Sequence, residues 1–433
     1  MINHRKAVAV ASATLAVVGV NGAAQAGGFY LPDQSVKAIG RAYSGEAADQ
    51  GPESLWWNPA SIGGIANGSV YFGGAGIFPS ARVNDTGSVI VRPGQAPAPV
   101  GGDPSQKDPV SSGLVPSGAI AYPITKQVSV GLSLTSPYSF TTNYDANSWV
   151  RYSADKTKLV TIDIQPTLAI APTSWLRLGA GPNIEYTDAT LSNRLPNLSS
   201  ALPDGDQRLK GNGWDAGWSA GAQLHNDVVT LGLAYKSSIE HTLKGGLVVS
   251  GLLGPLAGSN ASLSGIEARF STPWQAIASV RVHVIEALTL NLQATRFGWS
   301  KFDSIRLGAP LNAALPEGYR DTWTVAGGVD YVLSPKWTVR AGFDYDQTPT
   351  RNGARDARVP DANRRGYSTG ATYNLTPSFS IDAAASYVDF SNASIDRPTA
   401  AFAGTAVQTP ILVNGEVRNA QALVFALGGR FSF

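Results

Sequence analysis

The amino-acid sequence predicts an all-β protein, a transmembrane 14-stranded antiparallel β-barrel whose lumen is plugged by the N-terminal part of the chain. Three observations support this prediction. Apolar and polar residues alternate along most of the chain, short and long connections take turns, and aromatic residues recur near the ends of the alternating segments. Only 15% of the 433 residues are charged, against about 25% in soluble domains. Glycine and proline, at 47 and 27 residues, are too frequent for a helical bundle.

The alternation has the two-residue period of a β-strand. Val160, Ile162 and Leu168 lie on one face of a predicted strand, and Thr161 and Asp163 lie on the other. The segments 288–295 and 337–346 repeat the pattern. A soluble β-sandwich shows the same alternation, so this pattern alone leaves both architectures open.

The connections distinguish the two architectures. Short turns are predicted at 125–127, 171–174, 225–227, 285–287, 334–336 and 376–378, and long polar stretches at about 80–115, 141–158, 192–212, 248–265, 303–319, 347–364 and 391–419. Outer-membrane barrels combine short periplasmic turns with long extracellular loops and an even number of strands. Seven long and six short connections join 14 strands. We therefore expect the protein to lie in the outer membrane of a Gram-negative bacterium.

Aromatic residues are expected to form girdles where the strands cross the membrane interfaces. The candidates are Trp149, Trp175, Trp214, Trp218, Trp274, Trp299, Trp323, Trp337, Tyr331 and Tyr387. The last strand keeps its apolar face up to Phe433. A terminal aromatic of this kind resembles the recognition signal for the barrel-assembly machinery, which is an expected partner.

Two segments precede the strands. Residues 1–26 have the pattern of a secretory signal peptide, with Arg5 and Lys6 before an apolar run and Ala24-Gln25-Ala26 as the cleavage site. Residues 27–66 are polar and rich in glycine, and such a segment cannot face lipid because unpaired backbone groups are costly there. We expect residues 27–66 to form a hatch inside the lumen and residues 67–433 to form the barrel.

The hatch segment contains the most specific motif. Gly40-Arg41-Ala42-Tyr43-Ser44-Gly45-Glu46, followed by Asn58-Pro59-Ala60, resembles the hatch of the long-chain fatty acid transporter family, which includes toluene and xylene channels. The resemblance continues through 211–218, 299–302 and 337–342. It implies a passive channel for hydrophobic small molecules, such as long-chain fatty acids, that releases them sideways into the membrane. No cofactor or metal is implied.

The resemblance also implies two binding regions. The first is an outer apolar groove on the loops that match 192–212 and 248–265, and the apolar residues available for it are Leu247, Val249, Leu252, Leu253 and Leu256. Packing of these residues against neighbouring loops is the alternative interpretation. The second region is an inner pocket, where Arg194 lies within one residue of the position of an arginine that binds the substrate carboxylate in the family. A second basic residue of the family is replaced near Leu315, which leaves neutral aromatic hydrocarbons open as substrates.

The third strand contains Ser136, Pro137 and Tyr138. Because Pro137 has no N–H for the strand ladder, it is tolerated only at a bulge, a kink or an unpaired edge. We expect the strand to bend there and leave a lateral opening, as in the family that the chain resembles. A proline that merely ends the pairing near the outer rim is the alternative interpretation.

Several other functions are disfavoured. The chain has no cysteine and nearly balanced charge, which disfavours a thiolate enzyme, a cysteine zinc site and a nucleic-acid partner. A barrel lipase or protease would need a Ser–His pair, and no histidine accompanies an obvious serine motif. A general porin conflicts with the expected hatch. We expect a non-enzymatic monomer surrounded by outer-membrane lipid and lipopolysaccharide. The phosphates of lipopolysaccharide are one candidate partner for the arginine-rich stretch 351–365. The other interpretation is that this stretch is a solvated loop.

Overall fold

The structure, a computed structural model, describes residues 27–433. The predicted signal peptide, residues 1–26, lies outside the described residues. Fourteen antiparallel strands, β1–β14, form a closed barrel, and β1 pairs with β14 from Ser69–Ser432 to Asp85–Gly415. None of the helices in the described range is long and apolar enough to cross a membrane. The predicted barrel architecture is confirmed.

The barrel strands are β1 Ser69–Asp85, β2 Gly113–Pro123, β3 Val128–Thr135 and Phe140–Asn143, β4 Lys156–Thr173, β5 Leu176–Leu195, β6 Gly205–His225, β7 Val229–Lys236 and Glu240–Ser250, β8 Ala261–Ser271 and Trp274–Ile285, β9 Leu288–Gly298, β10 Thr322–Ser334, β11 Trp337–Asp346, β12 Arg364–Thr376, β13 Phe379–Phe390 and β14 Thr409–Ser432. Short strands in the outer connections are Val89–Ile90, Ala98–Pro99, Ser105–Lys107, Ser304–Leu307, Ala313–Pro316 and Ala393–Ala401. The helix α1 is Val36–Gly40, and short 3₁₀ helices are Glu46–Ala48, Pro52–Ser54, Pro59–Ile62, Gly254–Ser259 and Trp299–Lys301.

The distribution of polar residues decides between a soluble and a membrane barrel. On β4, Asp163 and Gln165 point into the lumen and are fully buried, whereas Leu168 on the opposite face is 54% exposed. On β9, Asn291 is buried and Leu292 is 59% exposed. A soluble protein would bury the apolar face instead, so the outer face of this barrel is suited to lipid.

Two aromatic girdles surround the barrel. Tyr186 and Trp214 pack at 5.2 Å between ring centroids near the long loops, and Trp337 and Tyr373 pack at 4.7 Å near the short turns. Two of the predicted girdle residues, Trp149 and Trp299, do not lie in a girdle. Trp149 is buried in the outer loops and Trp299 is buried in the lumen, because each lies in a connection rather than in a strand.

The long connections form a cap at the outer end of the barrel. Tyr144 and Trp149 of the β3–β4 connection, Leu252 of the β7–β8 connection, Ile395 of the β13–β14 connection and Val413 at the start of β14 pack into one buried cluster. The stretch 391–419 was predicted as a loop, but Ala393–Ala401 pairs with the first part of β14 as a hairpin beyond the membrane. The outer loops are therefore not simply solvated polar chain.

The hatch rests directly on glycines of the inner wall. Gly232 of β7 lies against the carbonyl of Ala47, and Gly342 of β11 lies against the carbonyl of Arg41. A Cβ at either wall position would overlap these backbone atoms. The hatch makes similar close contacts with Gly179, Gly221, Gly328 and Gly370. Glycines inside strands mark places where another backbone approaches closely, and here they form a seat for the hatch.

Candidate functional site: a strand gap beside an apolar cavity

The ladder between β2 and β3 is interrupted at the expected proline. Pairing ends at Gly118–Leu134 and resumes beyond the gap at Val110–Thr142. Residues 136–139 belong to neither segment of β3. The strand is therefore broken within the wall, as the sequence predicted from Pro137, while lateral release through this break stays a prediction.

The hatch occupies the inner side of the gap. The amide of Leu31 donates to the carbonyl oxygen of Pro137 at 2.7 Å. Gln34 donates from Nε2 to the carbonyl oxygen of Ser136 and accepts at Oε1 from its amide, both at 3.0 Å. Leu31 is fully buried and packs in a cluster that includes Val115 of β2. Residues 31–34 therefore supply hydrogen bonds that a neighbouring strand would otherwise make, and they close the gap from within.

Strand β4 satisfies the other side of the break. The hydroxyl of Ser136 donates to the carbonyl oxygen of Thr161 at 2.7 Å, and the amide of Tyr138 donates to Oγ1 of Thr161 at 3.0 Å. The amide of Thr161 donates in turn to Oγ of Ser139 at 3.2 Å. The local sequence Ser-Pro-Tyr-Ser thus replaces ladder bonds with side-chain bonds, so the amide of Tyr138 and both backbone groups of Thr161 keep partners across the break.

An aromatic cluster lies between the gap and the outer cap. Phe29 is at its centre, with ring-centroid distances of 5.9 Å to Tyr138, 4.9 Å to Trp299 and 5.1 Å to Phe302. Phe29 belongs to the hatch and Tyr138 to the gap, so the cluster links the two. Any rearrangement that moves the start of the hatch also changes the packing of Tyr138 at the gap.

An apolar cavity of about 80 Å³ adjoins this cluster. Its lining residues are Phe29, Phe140, Thr157, Lys158, Leu159, Ala189, Leu191, Leu209, Lys210, Gly211, Leu243, Ile266, Ala268, Phe270, Phe302, Ile305, Glu317, Arg358 and Val359. About 10–15 Å³ on this measure holds one water molecule, so the cavity has room for a slender apolar group. Phe140 links it to the gap, because this residue begins the second segment of β3.

Two charged side chains from the outer loops line the cavity. Arg358 bonds Asp356 from Nη1 at 3.2 Å, while its Nε is buried and has no hydrogen-bond partner among the described residues. Glu317 is 3.4 Å from Arg397. Burial raises the pKa of Glu317 to about 7, so its negative charge is reduced at neutral pH. Arg358 is therefore the arginine that the cavity offers to an anionic head group.

The predicted ligand residues lie mostly elsewhere. Arg194 is not among the lining residues and pairs with Asp206 on the outer part of β5 and β6. Leu247 packs with Leu209 and Ile266 beside the cavity. The roles of Arg194 and Leu247 in ligand binding stay predictions. The cavity gives no support for a contact between Arg194 and a substrate carboxylate.

The other predicted groove residues are divided between the loop core and the surface. Leu252 and Leu256 are buried in the cap, and Val249 packs against it. Leu253 is 41% exposed. The interpretation that these residues pack against neighbouring loops therefore describes Leu252 and Leu256, and Leu253 is the residue available to a solute outside.

The hatch motif contacts the wall at β6 and β7. Nδ2 of Asn58 donates to the carbonyl oxygens of Ala47 at 2.6 Å and of Ala222 at 3.2 Å, and its Oδ1 accepts from the amide of Ala60 at 2.9 Å. Pro59 follows as the first residue of a 3₁₀ helix, where its fixed backbone dihedral is favourable. Asn58 thus joins two parts of the hatch to β6.

We predict that Asn58→Ala reduces uptake severalfold, because it removes buried hydrogen bonds worth about 1–3 kcal/mol when a partner is left unsatisfied. Uptake of a labelled hydrophobic compound by cells producing equal amounts of folded barrel measures the effect. Asn374→Ala is a matched control, because Asn374 bonds the carbonyl oxygen of Pro335 at an exposed turn. Wild-type uptake by Asn58→Ala would contradict this role.

A layer of paired charges fills the lumen near the short turns. Its hatch residues are Lys37, Arg41, Glu46, Asp49 and Glu53, and its wall residues are Arg281, Asp330, Arg340, Asp382 and Arg430. Arg41 is fully buried and contacts Glu46 at 2.5 Å, Asp49 at 2.7 Å and Asp330 at 3.4 Å. Five cations and five anions balance in this layer. It separates the cavity and the gap from the periplasmic end.

Comparison with known proteins agrees with this architecture. Residues 17–433 match the family described as Outer membrane protein transport protein (OMPP1/FadL/TodX). The chain belongs to this family. The long-chain fatty acid transport protein of Escherichia coli O6:H1 is 26% identical over 412 residues, covering 86% of this chain and 89% of that protein. Outer membrane protein P1 of Haemophilus influenzae is also 26% identical, over 85% of this chain and 87% of its own length.

Solved structures of the family have the same fold. The crystal structure of a Pseudomonas aeruginosa FadL homologue superposes with a TM-score of 0.81 and 26% identity, covering 94% of this chain and all of that chain. The Pseudomonas putida toluene transporter TodX superposes with a TM-score of 0.64 and 15% identity, covering 95% and 99%. The predicted family resemblance and outer-membrane location are confirmed.

Proposed function

We propose that the protein is an outer-membrane channel for the passive uptake of hydrophobic compounds. The observation that supports this most directly is an apolar cavity joined through Phe140 to a break in the barrel wall. The relatives named above include proteins described as a long-chain fatty acid transport protein and a toluene transporter. The direct test expresses the protein in cells that lack their own channel and measures uptake of labelled fatty acid and toluene.

The route that we propose ends sideways in the bilayer. A solute continuing towards the periplasm would have to pass the layer of paired charges around Arg41, which is buried and tightly bonded. A solute leaving through the gap at 136–139 enters hydrocarbon and retains about 25 cal/mol per Å² of apolar surface relative to water. Because residues 31–34 occupy the inner side of the gap, release requires this part of the hatch to move.

The substrate class is open between two possibilities. Phe270 and Phe302 in the cavity wall favour neutral aromatic hydrocarbons, since aromatic rings pack well against one another. Arg358 favours a carboxylate such as that of a fatty acid, because an arginine forms a charge-assisted, bidentate pair with it. The two classes differ in their dependence on this arginine.

We predict that Arg358→Gln weakens binding of a long-chain fatty acid by roughly tenfold while sparing its methyl ester, because hydrogen bonds to charged groups contribute about 1.5–3 kcal/mol. Titration of the purified barrel with each ligand by tryptophan fluorescence measures both affinities. Arg194→Ala tests the residue that the sequence predicted to bind the carboxylate. It should weaken fatty acid binding less than Arg358→Gln does, since Arg194 does not line the cavity. Equal weakening of acid and ester would mean that Arg358 acts through packing.

Other functions receive less support. A general porin is disfavoured because the hatch and the charge layer fill the lumen, and a barrel lipase because His241 is buried beside Thr187 and Glu185 rather than a serine. The family is one of transport proteins, and we propose that this member has no enzymatic activity. We also propose that it is a monomer whose terminal Phe433, 55% exposed, is read by the barrel-assembly machinery.

A further inference from the structure

A group of basic residues lies on the outward face of β4 and β6, above the outer aromatic girdle. Thr190 of β5 pairs in register with Lys158 on one side and Lys210 on the other. Ser192 is opposite Arg208, and its Oγ accepts from the amide of Lys156 at 3.0 Å. Lys156, Lys158, Arg208 and Lys210, here called the basic patch, therefore surround two hydroxyl residues.

The patch lies on the outward face of the wall and its cations are largely unpaired, and two of its residues, Lys158 and Lys210, also border the apolar cavity. Its residues share the strand face of Tyr186 and Trp214. On β6, Arg208 and Lys210 lie six and four residues from Trp214, and on β4, Lys156 and Lys158 lie six and four residues from Ile162, the register partner of Tyr186. An even separation keeps side chains on the same face of a strand. Lys156, Arg208 and Lys210 are exposed and form no ion pair within the described part of the chain, whereas Lys158 is 3.6 Å from Asp188. The nearby Asp206 is already paired with Arg194. The patch thus has an excess of positive charge.

Register and strand geometry give the size and height of the patch. Residues on strands two apart are separated by about 10 Å, and successive outward residues on one strand by about 7 Å. Lys210 precedes Trp214 by four residues on β6 and is nearer the outer end of the strand. Four residues span about 13 Å along a strand that is tilted by about 35–45°. Since Trp214 marks the headgroup level, the patch lies among the phosphates and sugars of the outer leaflet.

The surface below the patch is suited to acyl chains. Ile162 of β4 and Ile184 of β5 face lipid directly beneath it, and Tyr186 packs at a tilt against Trp214 between the apolar and basic regions. The arginine-rich stretch 351–365 is less suitable, because Arg355 and Arg364 are buried and bonded inside the cap. Arg351 and Arg365 are exposed, so contact of these two residues with outer-leaflet phosphates stays a prediction.

We propose that the basic patch binds the phosphorylated disaccharide of one lipid A molecule in the outer leaflet. Two phosphates separated by two sugar rings can contact the basic rows on β4 and β6, on either side of the β5 positions Thr190 and Ser192. The acyl chains then lie against the apolar wall below. This inference does not depend on the identity of the transported compound.

The test titrates the purified barrel with lipid A that carries both phosphates and follows the complex by native mass spectrometry. Lys158→Gln combined with Lys210→Gln should weaken binding on the order of tenfold or more, because each lysine near a charged lipid surface contributes separately. Lys126→Gln combined with Lys336→Gln is the matched control, since it removes the same charge from the short turns at the opposite rim. The control should bind as wild type does.

Three results would overturn the proposal. They are unchanged affinity of the Lys158 and Lys210 double variant, equal affinity for lipid A stripped of its phosphates, and displacement of lipid A by inorganic phosphate at equal concentration. The last result would mean that the patch binds a free anion rather than a lipid. The proposal is supported if the Lys158 and Lys210 double variant binds lipid A more weakly and loses the preference for phosphorylated lipid A, while the control variant binds as wild type does.

Discussion

Ser136→Arg should abolish most uptake of hydrophobic compounds while leaving a folded barrel in the membrane. Ser136 is buried and bonds both Gln34 of the hatch and Thr161 of β4, so an arginine here projects into the break in β3. Displacing or desolvating a guanidinium in the membrane interior costs about 2.5–3.5 kcal/mol, which corresponds to a fall in flux on the order of 100-fold. Uptake of labelled fatty acid and of toluene measures the loss.

The control for this variant is Ser237→Arg. Ser237 lies at the interruption of β7, where its Oγ accepts from the amide of Trp218 at 2.9 Å and its own amide donates to the carbonyl oxygen of Trp218 at 2.9 Å. The wall is therefore still bonded to β6 at that interruption. Resistance of both variants to heat unfolding verifies that each forms a folded barrel. Undiminished transport by folded Ser136→Arg would exclude lateral release and favour passage to the periplasm.

Arg41→Ala should open the lumen to ions. Removing one partner of a buried charge group costs about 3–5 kcal/mol, and here it leaves Glu46, Asp49 and Asp330 near one another without the central cation. Repulsion among these carboxylates should loosen the hatch. We expect ion conductance in planar bilayers, and sensitivity of cells to hydrophilic antibiotics, where the wild-type protein shows little of either.

Arg365→Ala is the matched control for the charge layer. Arg365 pairs with Asp389 at 3.7 Å, and both side chains are about half exposed. Such surface pairs contribute about 0–1 kcal/mol, so neither conductance nor stability should change measurably. An Arg41→Ala barrel as tight to ions as the wild type would show that the layer does not hold the hatch in place.

The sequence predicts the barrel wall well because one local pattern recurs along the wall, in which apolar and polar residues alternate between successive turns. Each turn at 125–127, 285–287 and 376–378 separates two segments of strict alternation, and each joins two barrel strands in the structure. Pro137 was also informative, since it has no N–H for the ladder. A proline alone does not break a strand, because Pro116 and Pro182 lie within continuous ladders. These signals are local, so they can be recognised without knowledge of the fold.

The cavity could not be predicted in the same way. Phe29, Phe302 and Arg358 meet there from the hatch, the β9–β10 connection and the β11–β12 connection, and no spacing in the sequence indicates that they are neighbours. Arg194 is a different case. It shares the outward face of Tyr186 on β5, so the two-residue period already places it on the lipid-facing side of the wall rather than in the lumen.

The glycine seat of the hatch has a consequence for mutational tolerance. Every substitution of Gly232 or Gly342 adds a Cβ where a hatch carbonyl already lies, so even alanine should be selected against at these positions. Lipid is fluid and has no fixed shape, and positions such as Leu168 and Leu292 can exchange freely among apolar residues. Sequence drift should therefore be concentrated on the bulky outer face of the barrel, while the smallest residues of the wall change most slowly.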